Sequence, residues 1–153
     1  MVNPNGGVTE SRYDPLARIA LVVAPGDTLT LPTVTYSYET ATLPALRAAH
    51  YLVLSGDSRT ISVNEYLDGA GALFQRRTEH DGNRVSVSGQ VVSNARGKTA
   101  EKFESFYAEG LGFEPYSTDP SAPRRSFFFD PLGRAIRTLH PDGGQSGAEY
   151  GTF

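Results

Sequence analysis

A chain of 153 residues can hold about one domain with a useful core, and its formal charge of −3 argues against a nucleic-acid or anionic-membrane surface as its main partner. It contains no cysteine, which excludes a disulfide framework and thiolate chemistry. No apolar run is long enough to span a bilayer, and the opening Met1-Val2-Asn3-Pro4-Asn5-Gly6-Gly7 is no secretory signal.

The 16 glycines and 10 prolines suit many short strands joined by turns. Thr9 to Tyr13 reads as a short strand, and the β-branched run from Arg18 to Ala24 as a second, closed by Pro25-Gly26-Asp27. Thr33 to Tyr38 alternates Val34, Tyr36 and Tyr38 with Thr35 and Ser37, the pattern of a half-buried strand. Leu43 to Leu54 is ambiguous, because Ala45 to Ala49 favours a helical turn while Tyr51 to Leu54 favours a strand. Ile61 to Leu67 and Ala72 to Thr78 are strands, followed by a turn at His80-Asp81-Gly82-Asn83 and strands at Arg84 to Ser88 and Gln90 to Ser93. Lys98 to Tyr107 has some helical spacing, yet a strand through Phe103 is favoured. Leu111 to Arg125, with three prolines, implies a loop before Phe127–Phe129 re-enters a sheet, and Ala135 to Leu139 is the last strand.

One phrase recurs along this chain. Phe128-Phe129-Asp130-Pro131-Leu132-Gly133-Arg134 and Arg12-Tyr13-Asp14-Pro15-Leu16-Ala17-Arg18 are its full copies; Tyr66-Leu67-Asp68-Gly69-Ala70-Gly71 and Val92-Ser93-Asn94-Ala95-Arg96-Gly97-Lys98 are weaker ones. Asp or Asn at the first position of a turn can accept backbone N–H bonds from two residues on. Pro at the second has its φ fixed in advance, and Gly at the fourth suits a positive φ, as in a type I turn followed by a bulge. Each copy is therefore expected to be a β-hairpin, with Asp14, Asp68, Asn94 and Asp130 opening the turns and Gly71, Gly97 and Gly133 closing them. Ala17 implies a turn either built differently or strained. His140-Pro141-Asp142-Gly143 supplies a further turn through Asp142.

Sites of chemistry are scarce. His50, His80 and His140 lack the spacing of metal ligands, and no cofactor-binding motif is present. Gly56-Asp57-Ser58 faintly resembles an esterase nucleophile motif, but Arg59 stands where an apolar residue is usual and no late Asp-x-x-His follows. Glu101, Glu104 and Glu109 stay unassigned. Arg76-Arg77 and Arg124-Arg125 read as exposed strand-edge charge. The aromatic residues read as cross-strand packing. Since successive strand side chains point to opposite faces, Phe127, Phe128 and Phe129 imply cover on both sides of their strand, supplied by a neighbouring segment or chain.

The Phe129–Thr138 stretch with Pro141-Asp142-Gly143 resembles the YD repeat of Rhs proteins. The order of segments Thr9–Arg18, Glu65–Gly71, Val87–Lys98 with Glu104–Tyr107, and Asp130–Arg134 is similar to the middle region of the B component of bacterial insecticidal toxin complexes and to SpvB-like proteins. The likeness spans nearly the whole chain. It implies an all-β fold of antiparallel hairpin repeats, residues 1–153 forming one Rhs-like domain within a larger β-sheet shell that encloses a toxic cargo domain. It implies as partners the remaining shell, its cargo and delivery components, and a secreted or surface location. The chain is expected to be non-catalytic, without cofactor or metal, and a fragment of a larger protein. The alternative is an adhesive module that binds a carbohydrate or protein through exposed aromatic residues.

Overall fold

The computed structural model describes residue 4, residues 6–115 and residues 121–151. Among these residues there is no helix; thirteen strands carry the fold. They are β1 (Glu10–Tyr13), β2 (Ile19–Val23), β3 (Val34–Glu39), β4 (Ala45–Leu52), β5 (Thr60–Leu67), β6 (Leu73–Glu79), β7 (Arg84–Ser88), β8 (Val91–Ser93), β9 (Thr99–Phe103), β10 (Phe106–Glu109), β11 (Arg124–Phe129), β12 (Ala135–Leu139) and β13 (Gln145–Gly147). All pairings are antiparallel. The large sheet runs β1-β2-β3-β4-β5-β6-β7-β10 and the small sheet β13-β12-β11-β9-β8. The fold is thus all-β and built of hairpins.

Most of this order is nearest-neighbour meander. The departures are three changes of sheet, from β7 to β8 at Gly89-Gln90, from β9 to β10, and from β10 to β11. A single strand through Lys98 to Tyr107 is not what forms: the chain breaks at Glu104-Ser105 and changes sheets, β9 pairing with β8 and β11 while β10 returns to β7. Phe103 and Phe106, on either side of the break, keep their rings 6.1 Å apart, so the switch occurs across an aromatic contact between the sheets.

The helical preference of Ala45–Ala49 is also overturned, because those residues lie in β4. Alanine has the best intrinsic helix propensity. Here it is outweighed by a ladder on each side: β4 is in register with β3 from Val34↔Tyr51 to Glu39↔Leu46 and with β5 from Ala45↔Leu67 to Leu52↔Thr60. Ala48 and Ala49 point to opposite faces and are both buried, so small side chains suit a strand covered on both sides.

The arginine pairs are not edge charges either. β6 lies between β5 and β7, and β11 between β12 and β9. Arg77 is 1% exposed, and Arg76 reaches Glu65 on the neighbouring strand. Phe128 departs from the cover expected on both faces of β11: it remains 37% exposed under Arg137, whose guanidinium carbon stands 4.0 Å from the ring centroid. The loop expected between Leu111 and Arg125 is shorter, since β11 begins at Arg124; residues 116–120 of it lie outside the described residues.

Both faces of the large sheet hold buried residues: Val34, Ala49, Val63 and Glu65 lie on one, and the core face that the chain's later segment covers is the other. Register places Tyr66, Gln75, Arg77, Val85, Val87 and Phe106 on that face. The segment after β10 folds back over it, with Phe113 5.2 Å from the Tyr66 ring and 5.7 Å from that of Phe74. Tyr66 Oη donates to the Leu111 carbonyl at 2.5 Å.

Candidate functional site

The four recurring turns share one set of hydrogen bonds. In each, the N–H of the first residue donates to the carbonyl four residues on, and the N–H of the fourth residue donates back to the carbonyl of the first. The distances are 2.8 and 2.9 Å at Asp14, 2.9 and 2.9 Å at Asp68, 2.8 and 2.9 Å at Asn94, and 2.9 and 2.9 Å at Asp130. Side-chain Oδ1 accepts from the residue two on and the residue four on at Asp14, Asp68 and Asn94, and from Arg134 N–H at Asp130. Register slips at the residue just before each of them, between Arg12 and Tyr13, Tyr66 and Leu67, Val92 and Ser93, and Phe128 and Phe129. A type I turn with a one-residue bulge produces this pattern. The same backbone bonds close His140 to Gly144, with His140 in the acid's place; Asp142 stands third in that turn and its Oδ1 accepts from Gly144 N–H at 2.8 Å.

The fourth position has a positive φ in every copy: 81° at Gly71, 72° at Gly97, 80° at Gly133 and 59° at Ala17. Ala17 therefore belongs to the same turn type and carries the strain of a left-handed L-residue, about 1–2 kcal/mol. The turns do not converge on one site. Asp14 and Asp68 head hairpins in the large sheet, whereas Asn94 and Asp130 head neighbouring hairpins in the small one, where Arg96 Nη1 donates to the Pro131 carbonyl at 2.6 Å.

The two full copies contain a further module. Arg18 and Arg134, four residues after the acid, each return to pair with it, their Nε atoms 2.7 and 2.6 Å from Asp14 and Asp130 Oδ2. Each guanidinium also stacks on a tyrosine of the third strand or just beyond it: Arg18 on Tyr38 at 4.2 Å and Arg134 on Tyr150 at 4.3 Å. Each tyrosine hydroxyl then donates to the carbonyl of the residue following the arginine, Tyr38 to Ile19 at 2.9 Å and Tyr150 to Ala135 at 3.0 Å. Acid, arginine and tyrosine thus tie a hairpin to its next neighbour twice over. The N–H of Arg18 and of Arg134, followed by carboxylate burial acting in opposition and by the guanidinium contact, holds the Asp14 and Asp130 carboxyls below their ordinary range. The tyrosines were not visible as members of the phrase, because Tyr38 and Tyr150 stand at different distances from their arginines.

Two polar clusters lie within the large sheet, one on each face. On the core face, Arg77 spans from Gln75 Oε1 at 3.1 Å to the Gly110 carbonyl at 2.8 Å and Glu114 Oε2 at 2.7 Å. Fully buried Gln75 donates to the Glu114 carbonyl at 2.7 Å. These bonds satisfy backbone carbonyls of the covering segment that strand pairing does not reach. On the other face, buried Glu65 lies between Arg47 and Arg76, each paired with one of its oxygens. Desolvation pushes its carboxyl up, but hydrogen bonds from Arg76 and Arg47 and their charges outweigh that and lower it. The only sequence trace of the Arg77 cluster is the two-residue spacing of Gln75 and Arg77, which puts both on one strand face.

The remaining candidates stand apart. His50 lies 3.1 Å from Ser62 Oγ, the His80 ring meets Tyr107 edge-on at 5.6 Å, and His140 is 3.3 Å from Ser146 Oγ. Among the described residues no group of three acids or histidines could hold a metal ion. Ser58 is exposed in the β4–β5 loop, where Asp57 pairs with Arg59 at 2.7 Å. Glu101 faces Arg124 at 3.8 Å and Glu104 faces Arg125 at 3.0 Å; Glu109 contributes its carbonyl to Arg77 at 3.3 Å.

No protein-family model matches the chain, and no curated protein matches it in sequence. Solved structures do resemble it in fold. The crystal structure of TcdB2-TccC3 superposes with a TM-score of 0.70 over 95% of this chain at 14% identity, and that of TcdB2-TccC3-Cdc42 with 0.69 over 92% at 11% identity. TcdB2-TccC3 without its hypervariable C-terminal region gives 0.66 over 92% at 10% identity. The matched region is 10–12% of those chains, so this chain spans about a tenth of their length.

Proposed function

We propose that the chain is a non-catalytic wall segment of an Rhs-like β-shell of the toxin-complex type, and that the shell encloses a cargo domain. The observation that carries this reading is the fold likeness over 95% of the chain to a small part of TcdB2-TccC3. The repeated hairpin turns support it. They let a wall lengthen by adding hairpins without any new local design, and the Asp–Arg–Tyr module fastens each full hairpin to the segment that follows it, through Tyr38 in β3 and Tyr150 beyond β13.

In this reading the segment works by exclusion. Seven strand spacings of about 4.8 Å make the large sheet roughly 34 Å wide. Its outer strands, β1 and β10, and those of the small sheet, β13 and β8, end the sheets among the described residues. A wall requires such edges to be paired by further strands, because an open edge invites pairing with other chains. Its partners are then the rest of the shell, the cargo and delivery components, and it acts outside the producing cell.

Cryo-electron microscopy of the polypeptide encoded by the complete open reading frame tests the proposal. A hollow shell with residues 10–147 in its wall, and an interior domain protected from protease, is the expected result. A free-standing module that binds a glycan on an array would overturn it in favour of an adhesin, and labelling of Ser58 by a serine-hydrolase probe would overturn its non-catalytic part.

A further inference from the structure

We propose that the face of the small sheet bearing Lys98, Lys102, Phe127 and Phe129 is a docking groove for an extended acidic peptide. These residues and Thr99 line an open depression of about 370 Å³. The proposal does not depend on the shell reading.

Charge placement is the main reason. The chain has only two lysines, Lys98 and Lys102, and both border this groove. Nine arginines form ion pairs with carboxylates: Arg12, Arg18, Arg47, Arg59, Arg76, Arg77, Arg124, Arg125 and Arg134. Of the others, Arg84 and Arg137 stack on rings and Arg96 bonds a carbonyl. Neither lysine has a carboxylate within ion-pair distance among the described residues, and Lys98 Nζ lies 5.5 Å from the centre of the Phe129 ring. Register puts Arg125 beside Lys102, but Glu104 already neutralises it at 3.0 Å. Two of the five cations without a carboxylate partner among the described residues therefore stand together beside one phenylalanine floor, Lys98 resting on the Phe129 ring as Arg84 and Arg137 rest on theirs.

The floor differs from the opposite face of the same strand. There Arg137 stacks on Phe128, which stays 37% exposed, whereas the half-buried Phe127 and Phe129 line the depression. Apolar rings under unpaired ammonium groups suit a ligand that brings both carboxylates and an apolar side chain.

Spacing narrows the ligand. Four residues of extended chain separate Lys98 from Lys102, at most roughly 13 Å at about 3.3 Å per residue. In an extended peptide, residues i, i+2 and i+4 share a face. A segment with Glu at i and i+4 and Leu or Phe at i+2 would set its carboxylates against the lysines and its apolar side chain against the phenylalanines.

The test is fluorescence anisotropy of the 153-residue chain with a labelled Gly-Glu-Ser-Leu-Ser-Glu-Gly peptide, alongside amide chemical-shift mapping. Saturable binding that weakens with added salt is expected, with shifts confined to Lys98, Thr99, Lys102, Phe127 and Phe129. A Lys98→Gln/Lys102→Gln double variant, altered only at exposed positions, should bind roughly tenfold more weakly, as two exposed charge pairs allow. A peptide with lysine in place of glutamate should not bind. Absence of binding, equal affinity of the double variant, or shifts on the Phe128 face would overturn the proposal. So would equally tight binding of a heparin fragment, which would mark a general polyanion surface.

Discussion

The two sheets use the same parts to different ends. Each has an interior strand with an Arg-Arg pair, β6 in the large sheet and β11 in the small one. In the large sheet Arg77 is buried beneath the chain's own returning segment and bonds its carbonyls. In the small sheet Arg125 is exposed beside Glu104, and half-buried Phe127 and Phe129 line an open depression with Lys98 and Lys102. Each sheet also has one full Asp-Pro-Leu-x-Arg turn, closed by Ala17 in the large sheet and by Gly133 in the small one. An identical local motif can therefore sit in a self-covered sheet or in an open one; the cover comes from the chain that crosses it.

The sharpest way to break this comparison is to remove the two arginines in turn. Arg77→Leu leaves the Gly110 and Glu109 carbonyls unsatisfied and Glu114 without its partner, so thermal or urea denaturation should show a loss of about 3 kcal/mol. Arg125→Leu removes an exposed pair and should cost under about 0.5 kcal/mol. Equal losses would mean that the large sheet is not held by its cover.

The next test separates the two turns. Gly133→Val should destabilise by on the order of 1–2 kcal/mol through the left-handed backbone penalty, since a branched side chain would have to adopt φ 80°. Its Cβ would also meet Lys98 Cε at 3.0 Å, a flexible group that can move aside. Ala17→Gly should act in the opposite direction and stabilise by roughly 0.5–1 kcal/mol, the relief of strain being partly offset by the freer unfolded chain. An unchanged denaturation midpoint for both variants would contradict the shared turn geometry.

Smaller effects are expected where the modules match. Tyr38→Phe and Tyr150→Phe each delete one hydroxyl-to-carbonyl bond and should each cost about 0.5–1 kcal/mol. A loss in only one sheet would show that the Asp–Arg–Tyr module is not one device used twice.

Acid should probe both sheets together. The carboxyls of Asp14, Asp27, Asp57, Glu65, Glu79 and Asp130 all titrate below their ordinary values in the folded chain. Groups lowered on folding add stability that is present above the unfolded value of about 4 and is lost as the pH falls through the folded value. The melting temperature should therefore hold from neutrality to about pH 5 and fall below about pH 4. Asp130→Asn should make that fall shallower while keeping an oxygen to accept the turn bond.

The turns were legible because they are local. An acid, a Pro or small residue and a Gly within five positions specify their own hydrogen bonds, and strand patterns on either side give the hairpins. Ala45–Ala49 was not legible as strand, since its local preference is helical and only the ladders of β3 and β5 reverse it. The change of sheet at Glu104-Ser105 has no local signal, for both flanking segments are acceptable strands. Arg77 looked like surface charge because the groups that satisfy it, the carbonyls of Glu109 and Gly110 and the Glu114 carboxylate, lie more than thirty residues on.

Hydrogen exchange on the edge strands bears most directly on the wall-segment reading. Amides of β1 and β13 should exchange quickly in the isolated 153-residue chain and become protected when the same residues are measured within the polypeptide of the complete open reading frame. Protection appearing at those edges is the expected result. Equal, fast exchange in both would mean that no further strands pair with this segment, and would contradict its place in a continuous wall.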